Sequence, residues 1–384
     1  MIPLSLPDLS ERETRYVLQA LDTRRLALGP FVTSFEEKMA ALCGVSHAVA
    51  VNSGTAALHL IVRALGLGAG DEVITTPYSF VASANCLLFE HVTPRFVDVD
   101  PETYTLDVRR IEAALTPATR AILAVDVFGQ PADWPSLEIL AKRHGLMLID
   151  DACEAPGASV QGRPVGAWGR AAAFGFYPNK PITTGEGGCI TTDDPEIAAL
   201  CRSMANQGRR TPAIMEHVRL GYNYRLDELS AAIGCAQLER SEDLFRRRRQ
   251  VAAWYDEALA GLAHHFRTPS EQTGSVRSWF VYVIELRPES PAGLRDRVME
   301  RLRAAGIGSA PYFPTIHLQP YYRERFGYRE GDFPVAESIS ARTLALPFYS
   351  TLTEDEVARV AEALAGAFSA EEKNGNESLH GVPN

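Results

Sequence analysis

The chain has 384 residues, 46% of them hydrophobic, and carries 48 acidic against 38 basic side chains for a net charge of −10. That length can bury a sizeable core and divides most naturally into two domains, while the acidic balance argues against a nucleic-acid or anionic-membrane surface. The six cysteines (43, 86, 153, 189, 201 and 235) form no C-x-x-C pair, so reduced, buried thiols in a cytoplasmic protein are expected.

The start, MIPLSLPDLSERE, has no basic region followed by an apolar one, so no signal peptide is read. No run of about 18 apolar residues predicts a membrane span. A helix is predicted near Ser10–Leu21, with Ser10 as N-cap and Glu13 completing a capping box. LALGP is a turn, and Thr33 or Ser34 starts the next helix. HAVAV reads as a strand, followed by a small-residue turn and a helix that opens at SGTAAL. DEVITT is a second strand, with a turn at Pro77 and a helix after it. PRFVDVD is a third strand, Asp107–Leu115 a helix and RAILAVDVFG a strand. Ser136–His144 is a helix, and GLMLIDDA, AAAFGFY and GGCITT continue the alternation. Strands alternating with helices predict an α/β fold with a largely parallel sheet covered on both faces. Ligands of such sheets sit beyond the strand C-terminal ends, where Asn52–Thr55, Asp151 and Lys180 fall.

From about Arg240 the pattern changes. A long charged helix spans Ser241–Gly261 and contains Arg246–Arg249, a basic run read as a solvated face or a subunit contact. WFVYVIEL is a strand, and LRDRVMERLRAAGIG and Glu354–Phe368 are helices. The chain thus divides into a large domain (1–240), a smaller α+β domain (241–368) and a polar tail (369–384) expected to be disordered.

The chemistry centres on AAAFGFYPNKPITTGEGGCITT, which holds Lys180 between buried-type segments. Of the four lysines, Lys38 and Lys142 lie on helices and Lys373 in the tail, so Lys180 is the candidate nucleophile for an imine with a carbonyl. SGTAAL opens a helix directly after a strand. Its first N–H groups, at Gly54 and Thr55, and the hydroxyl of Ser53 can cradle a phosphate or simply cap the helix. It is neither a Walker A loop nor a dinucleotide fingerprint. Asp151, after the strand LMLID, can pair with a protonated pyridine nitrogen or cap a helix. No His or Cys cluster accompanies it, so no metal site is expected. Asp150 should point the opposite way. Phe80 can stack on a planar ring or pack in the core, and Asn223 and Arg225 precede a small-residue helix where they can reach an anion.

In this order, SGTAAL, DDACEA, FYPNK with GEGG, and GYNYRLDELSAAIG resemble the DegT–DnrJ type nucleotide-sugar aminotransferases over nearly the whole chain. The resemblance implies the pyridoxal-phosphate-dependent transferase fold type I, pyridoxal 5′-phosphate as cofactor and a homodimer with shared active sites. Lys180 matches the imine-forming lysine, Asp151 the partner of the pyridine nitrogen and Phe80 the stacking aromatic. Ser53, Gly54 and Thr55 match the phosphate loop, and Asn223 a residue that reaches the neighbouring subunit's cofactor phosphate. His317 matches a histidine that reaches the active-site region, and Arg225, a candidate for a diphosphate contact, and Tyr312 are read with it as substrate-binding. The implied reaction moves an amino group from an amino acid, L-glutamate, to a nucleotide-linked keto-sugar. A free cyclitol or other non-nucleotide sugar, and a non-catalytic cofactor-binding regulator, are the alternatives. A dehydratase is disfavoured, because dehydrating relatives carry His in place of the lysine.

Two positions depart from the commoner pattern. Gly175 stands where many members have a phosphate-binding serine. Glu154 stands where many have Gln or His near the cofactor's phenolate oxygen. A carboxylate there would be repelled unless protonated or paired, so Glu154 is expected to turn toward a substrate hydroxyl or a cation.

Overall fold

The computed structural model describes residues 1–211 and 214–380. The first helix, α1 (Glu11–Asp22), begins as the capping box requires: Ser10 Oγ accepts from Arg12 N–H and Glu13 Oε2 from Ser10 N–H at 2.7 Å. The next, α2 (Pro30–Cys43), starts at Pro30, earlier than the expected Thr33 or Ser34. The reason is distant in sequence. The fully buried carboxylate of Glu228 accepts from Gly29, Phe31 and Val32 N–H at 2.8–3.0 Å, replacing a local cap.

The large sheet contains β1 (His47–Val51), β2 (Glu72–Thr75), β3 (Thr93–Phe96), β4 (Thr119–Val125), β5 (Met147–Asp151), β6 (Ala171–Gly175) and β7 (Gly188–Thr192). Their order is β1-β7-β6-β5-β4-β2-β3. Pairings from β3 across to β6 are parallel, while β7 runs antiparallel to both β1 and β6. The sheet is therefore mostly parallel with one reversed strand, and the segment that reverses the chain between β6 and β7 is the one carrying Lys180. The helices α3 (Gly54–Ala64), α4 (Ala82–Phe89), α5 (Val108–Ala114), α6 (Trp134–His144), α7 (Pro195–Ala205) and α8 (Glu228–Leu238) accompany these strands.

Alternate strand residues sort into different cores. Val49, Val51, Ala171 and Ala173 pack with residues of α3 and α7, whereas Ala48, Ala50, Ala172 and Phe174 pack with α2 and α8. Ile74, Ile122, Ala124 and Leu148 meet Trp134, Leu137 and Leu140 of α6. Strands buried on both faces have no polar side to alternate with, which is why they read as continuous apolar runs. The small-residue face of α8 does allow a close approach: a Cβ on Gly234 would lie 2.5 Å from the Phe35 ring of α2.

Beyond α9 (Ser241–Ala258), a second core forms around the antiparallel strands β8 (Phe266–Arg267), β9 (Tyr282–Leu286) and β10 (Thr343–Leu346). It includes residues of α9, α10 (Leu294–Ala304) and the last helix, and Ile2 from the other end of the chain. Two short helices, α11 (Pro320–Phe326) and α12 (Pro334–Arg342), lie between β9 and β10. The last helix, α13, runs Glu354–His380 and so continues through most of the stretch expected to be disordered; residues 381–384 lie outside the described residues. The Arg246–Arg249 run is not a simple solvated face. Arg246 and Arg247 pair with Asp243, but Arg248 is buried and donates to the carbonyls of Trp279 and Phe280 at 3.1 Å. Among the described residues no helix is long and apolar enough to cross a membrane, and no group of His, Cys, Asp and Glu could hold a metal. Five cysteines are buried and Cys153 is half-buried; all six are free thiols.

Candidate active site

A cavity of about 1260 Å³ opens where the C-terminal ends of the parallel strands meet α3, α4 and the segment around Tyr312. Ser53, Gly54, Thr55, Phe80, Asp151, Glu154, Gly175, Lys180 and Tyr312 all line it, so the fold brings together nine of the expected residues from separate parts of the chain. Such clefts are usually roughly 300–1,000 Å³, so this one has room for a phosphorylated ring and a second ligand.

At one end lies the first turn of α3. Ser53 is its extended N-cap, and its Oγ accepts from Ala56 N–H at 3.1 Å. The Ser53 hydroxyl thus serves the helix, leaving the N–H groups of Gly54 and Thr55 to face an anion. Glycine is needed here for approach: a Cβ on Gly54 would lie 2.8 Å from Cys153 Sγ and 3.2 Å from Gly175 Cα. A Cβ on Gly188 would fall 2.3 Å from the Ser53 carbonyl oxygen. The helix N-terminus is therefore seated directly on the ends of β6 and β7.

Asp151 ends β5 and is almost completely buried. Its Oδ2 accepts from the Ser83 hydroxyl at 2.7 Å, and Ser83 and Ser79 share a hydrogen bond of 2.8 Å. Asp150 points away, as strand alternation requires, and accepts from Gly166 N–H at 3.0 Å. Burial, then the charge of Asp126, pushes the Asp150 carboxyl well above its ordinary range; burial likewise pushes Asp126 up to about 7. These two belong to the interior behind the site, not to its wall.

Lys180 lies in the turn after β6. Its Nζ is 3.3 Å from Glu154 Oε1 and 4.0 Å from the centre of the Phe280 ring, a cation–π distance. Glu154 has indeed turned to a cation, and the cation is Lys180. Its other oxygen, Oε2, accepts from Phe128 N–H at 2.8 Å. Phe128 sits at φ 57°, in the left-handed region, followed by Gly129 at φ 78°. A Cβ on Gly129 would lie 1.5 Å from the Ser278 carbonyl oxygen, so only glycine lets this turn present its N–H to the carboxylate. Burial raises the Glu154 pKa, and the Lys180 charge opposes that rise. Phe80 is 60% exposed on the cavity rim, so its ring is free to meet a ligand rather than serving the core. The Tyr312 hydroxyl is pushed up to about 12, chiefly by burial.

Three expected residues are not on the cavity wall. The Asn223 carbonyl accepts from Asn52 Nδ2 at 3.4 Å, and Arg225 Nη1 donates to Asn206 Oδ1 at 3.1 Å. His317 has no exposed surface. Its Nε2 lies 3.0 Å from Glu337 Oε1 and its ring packs on Phe333, so it does not line the cavity as a substrate-binding residue should. A 3₁₀ turn over Ile316–Leu318 explains this, because residues i and i+3 share a side; Ile316 and Gln319 face the cavity instead. Phe128, Phe280, Ser79 and Ser83 were missed in the sequence. Phe280 reads there as one more apolar strand residue, and nothing local marks Phe128 N–H as a donor to a residue 26 positions away.

The model of the DegT/DnrJ/EryC1/StrS aminotransferase family matches residues 7–365. The chain belongs to this family. It is 40% identical to the GDP-perosamine synthase of Caulobacter vibrioides over 94% of this chain and 97% of that one. Among solved structures it resembles S. venezuelae DesV in complex with a ketimine intermediate, with a TM-score of 0.88 and 36% identity over 95% of this chain and 99% of that one. It also resembles DesI determined in the presence of its TDP-sugar product, with a TM-score of 0.89 and 34% identity over 98% and 96% of the two chains. The fold is accordingly the one these sugar aminotransferases share, and the chain is a sugar aminotransferase of the DegT type.

Proposed function

We propose that this aminotransferase uses pyridoxal 5′-phosphate to move an amino group from L-glutamate to a keto-sugar carried on a nucleotide. The observation that carries the reading is the placement of the Lys180 amine on the wall of a cavity that also holds the α3 anion cradle and the Asp151 carboxylate. The residues fit the cofactor: glycines at 54 and 175 leave the cradle open, and Phe80 offers an exposed ring face. When bound, the cofactor supplies an aldehyde and an electron-withdrawing ring. Gly54 and Thr55 N–H groups would hold the phosphate, and Asp151, oriented by Ser83, would keep the ring nitrogen protonated. Lys180 Nζ would anchor the aldehyde and then, once displaced by the amino donor, carry the proton removed from the donor α-carbon.

The nucleotide part of the reading rests on the relatives and on space. The named relatives make GDP-perosamine or bind a TDP-sugar, and the cavity exceeds what one ring fills. One chain's wall carries three carboxylates, Asp151, Glu154 and Glu186, against the single amine of Lys180. An anionic diphosphate therefore needs cations from outside that wall. A homodimer would supply one in Arg225, which lies off its own cavity, and with it the neutral amide of Asn223; the nearby hairpin of Arg209–Thr211 and Ile214–His217 leaves Ile214 and Met215 exposed.

The test is a turnover assay with L-glutamate and a panel of keto-sugars on GDP, UDP and TDP, beside free keto-sugars and cyclitol ketones, with products identified by mass. Amination of a nucleotide-linked member is expected. Amination of free sugars or cyclitols alone would overturn the nucleotide assignment. No amination of any member, by any amino acid, would favour a regulatory protein.

A further inference from the structure

Lys180 attacks a carbonyl only as the neutral amine, because the ammonium has no lone pair. A proton acceptor within reach of Nζ is therefore part of the chemistry. Among the described residues, the carboxylate recorded within ion-pair distance of Nζ is Glu154, whose Oε1 is 3.3 Å away. Both side chains are removed from water, at 14% exposure for Lys180 and 8% for Glu154. The acceptor is also fixed in place: Phe128 N–H holds Oε2, and the Phe280 ring covers a side of the amine.

The other titratable groups around Glu154 do not compete for this role. Asp151 is committed to the Ser83 hydroxyl, and its charge disfavours ionised Glu154. Tyr78, Tyr312 and the Cys153 thiol are each held protonated, chiefly by burial. A purely structural partner for Lys180 need not be a carboxylate. A glutamine could accept at one of the two oxygen positions, from Phe128 N–H or from the amine, while its amide nitrogen at the other would only donate. What the carboxylate adds, beyond the second acceptor, is the capacity to take a proton and give it back.

We propose that Glu154 is the proton acceptor and donor for Lys180, a catalytic residue of this site in its own right. The inference rests on the reading of Lys180 as the amine that meets an aldehyde. The Nζ–H bond of the ammonium breaks and an Oε1–H bond forms on Glu154. The neutral amine adds to the aldehyde carbon, and one of its hydrogens passes to the former aldehyde oxygen. The proton held by Glu154 then goes to that hydroxyl, which leaves as water. The nitrogen keeps one hydrogen in the new carbon–nitrogen double bond, and Glu154 is again a carboxylate. No oxidant or reductant is needed.

The test compares apo wild-type protein with Glu154→Gln and Glu154→Asp, mixed with pyridoxal phosphate across neutral to alkaline pH. Stopped-flow absorbance follows adduct formation, and borohydride trapping with mass analysis locates it on Lys180. Glu154→Gln should form the same final adduct, slower by on the order of 10²-fold near neutral pH, with a rate profile that no longer follows the titration of a carboxyl group. Glu154→Asp should keep the wild-type profile at a reduced rate. Thermal melting of the apo proteins separates these effects from misfolding. Superimposable wild-type and Glu154→Gln profiles, or equal losses in Gln and Asp, would overturn the proton role while leaving the site reading intact. No trapped adduct at Lys180 in the wild type would overturn both.

Discussion

Gly175 offers a direct test of the anion cradle, because this chain lacks a hydroxyl at a position where one has room. A Cβ at 175 would lie 3.5 Å from Cys153 Sγ, 3.6 Å from Gly54 Cα and 3.7 Å from Cys153 Cβ, all ordinary contacts. Gly175→Ser should therefore fold and place a new donor beside the first turn of α3. A hydrogen bond to a charged acceptor contributes about 1.5–3 kcal/mol. Ordering the new side chain offsets part of that, which leaves roughly 1.4 kcal/mol, or about tenfold tighter binding. Gly54→Ala is the opposite perturbation. Its Cβ would meet Cys153 Sγ at 2.8 Å and Gly175 Cα at 3.2 Å, and a backbone atom cannot rotate away. The helix start must shift, withdrawing its N–H groups and weakening binding by about tenfold on the same scale. The assay is an equilibrium titration of apo protein with pyridoxal phosphate, repeated with unphosphorylated pyridoxal. Both changes should appear with the phosphorylated ligand and vanish without the phosphate. Unchanged affinity in both variants, or equal changes with both ligands, would refute the placement of the phosphate at α3.

Two further predictions concern buried carboxylates. Glu228→Ala removes the acceptor of three N–H groups at the start of α2, and should lower unfolding free energy by about 3 kcal/mol in a denaturant titration; Glu228→Gln should lose less. A loss below about 1 kcal/mol would mean that water replaces the cap. The Asp126–Asp150 pair gives a pH signature. Asp126 is raised from an ordinary carboxylate value to about 7, so the folded state binds more protons than the unfolded chain between those values. Stability therefore falls as pH rises through that window. Asp150, pushed well above its ordinary range by burial, adds to the same fall, so Asp150→Asn should flatten the curve; parallel pH–stability curves for wild type and variant would contradict that contribution.

The sequence carried much of the fold because its signals are local. Most strands of the large sheet are short, largely apolar runs, and Ser10 with Glu13 states its capping box in four letters. The start of α2 was misplaced because its cap is Glu228, almost 200 positions away. The length of α13 was missed for a different reason. Its last residues are polar, and composition alone offered nothing for them to pack on. The site was legible as a set of pieces, Ser53–Thr55, Phe80, Asp151 and Lys180, since strand ends are where such sheets bind ligands. The geometry between the pieces was not. That Glu154 meets Lys180 depends on the Phe128–Gly129 turn and on Ser278 behind it, a three-way contact with no sequence periodicity. His317 lies off the cavity wall because a 3₁₀ turn, not a strand or helix, decides which of its neighbours face inward.

The most direct test of the account is the absorbance spectrum of the purified protein with pyridoxal phosphate, before and after L-glutamate, beside Lys180→Ala. The account predicts a visible band that L-glutamate bleaches and that Lys180→Ala never forms. A wild-type protein that binds no pyridoxal phosphate, or a band of equal strength in Lys180→Ala, would contradict it.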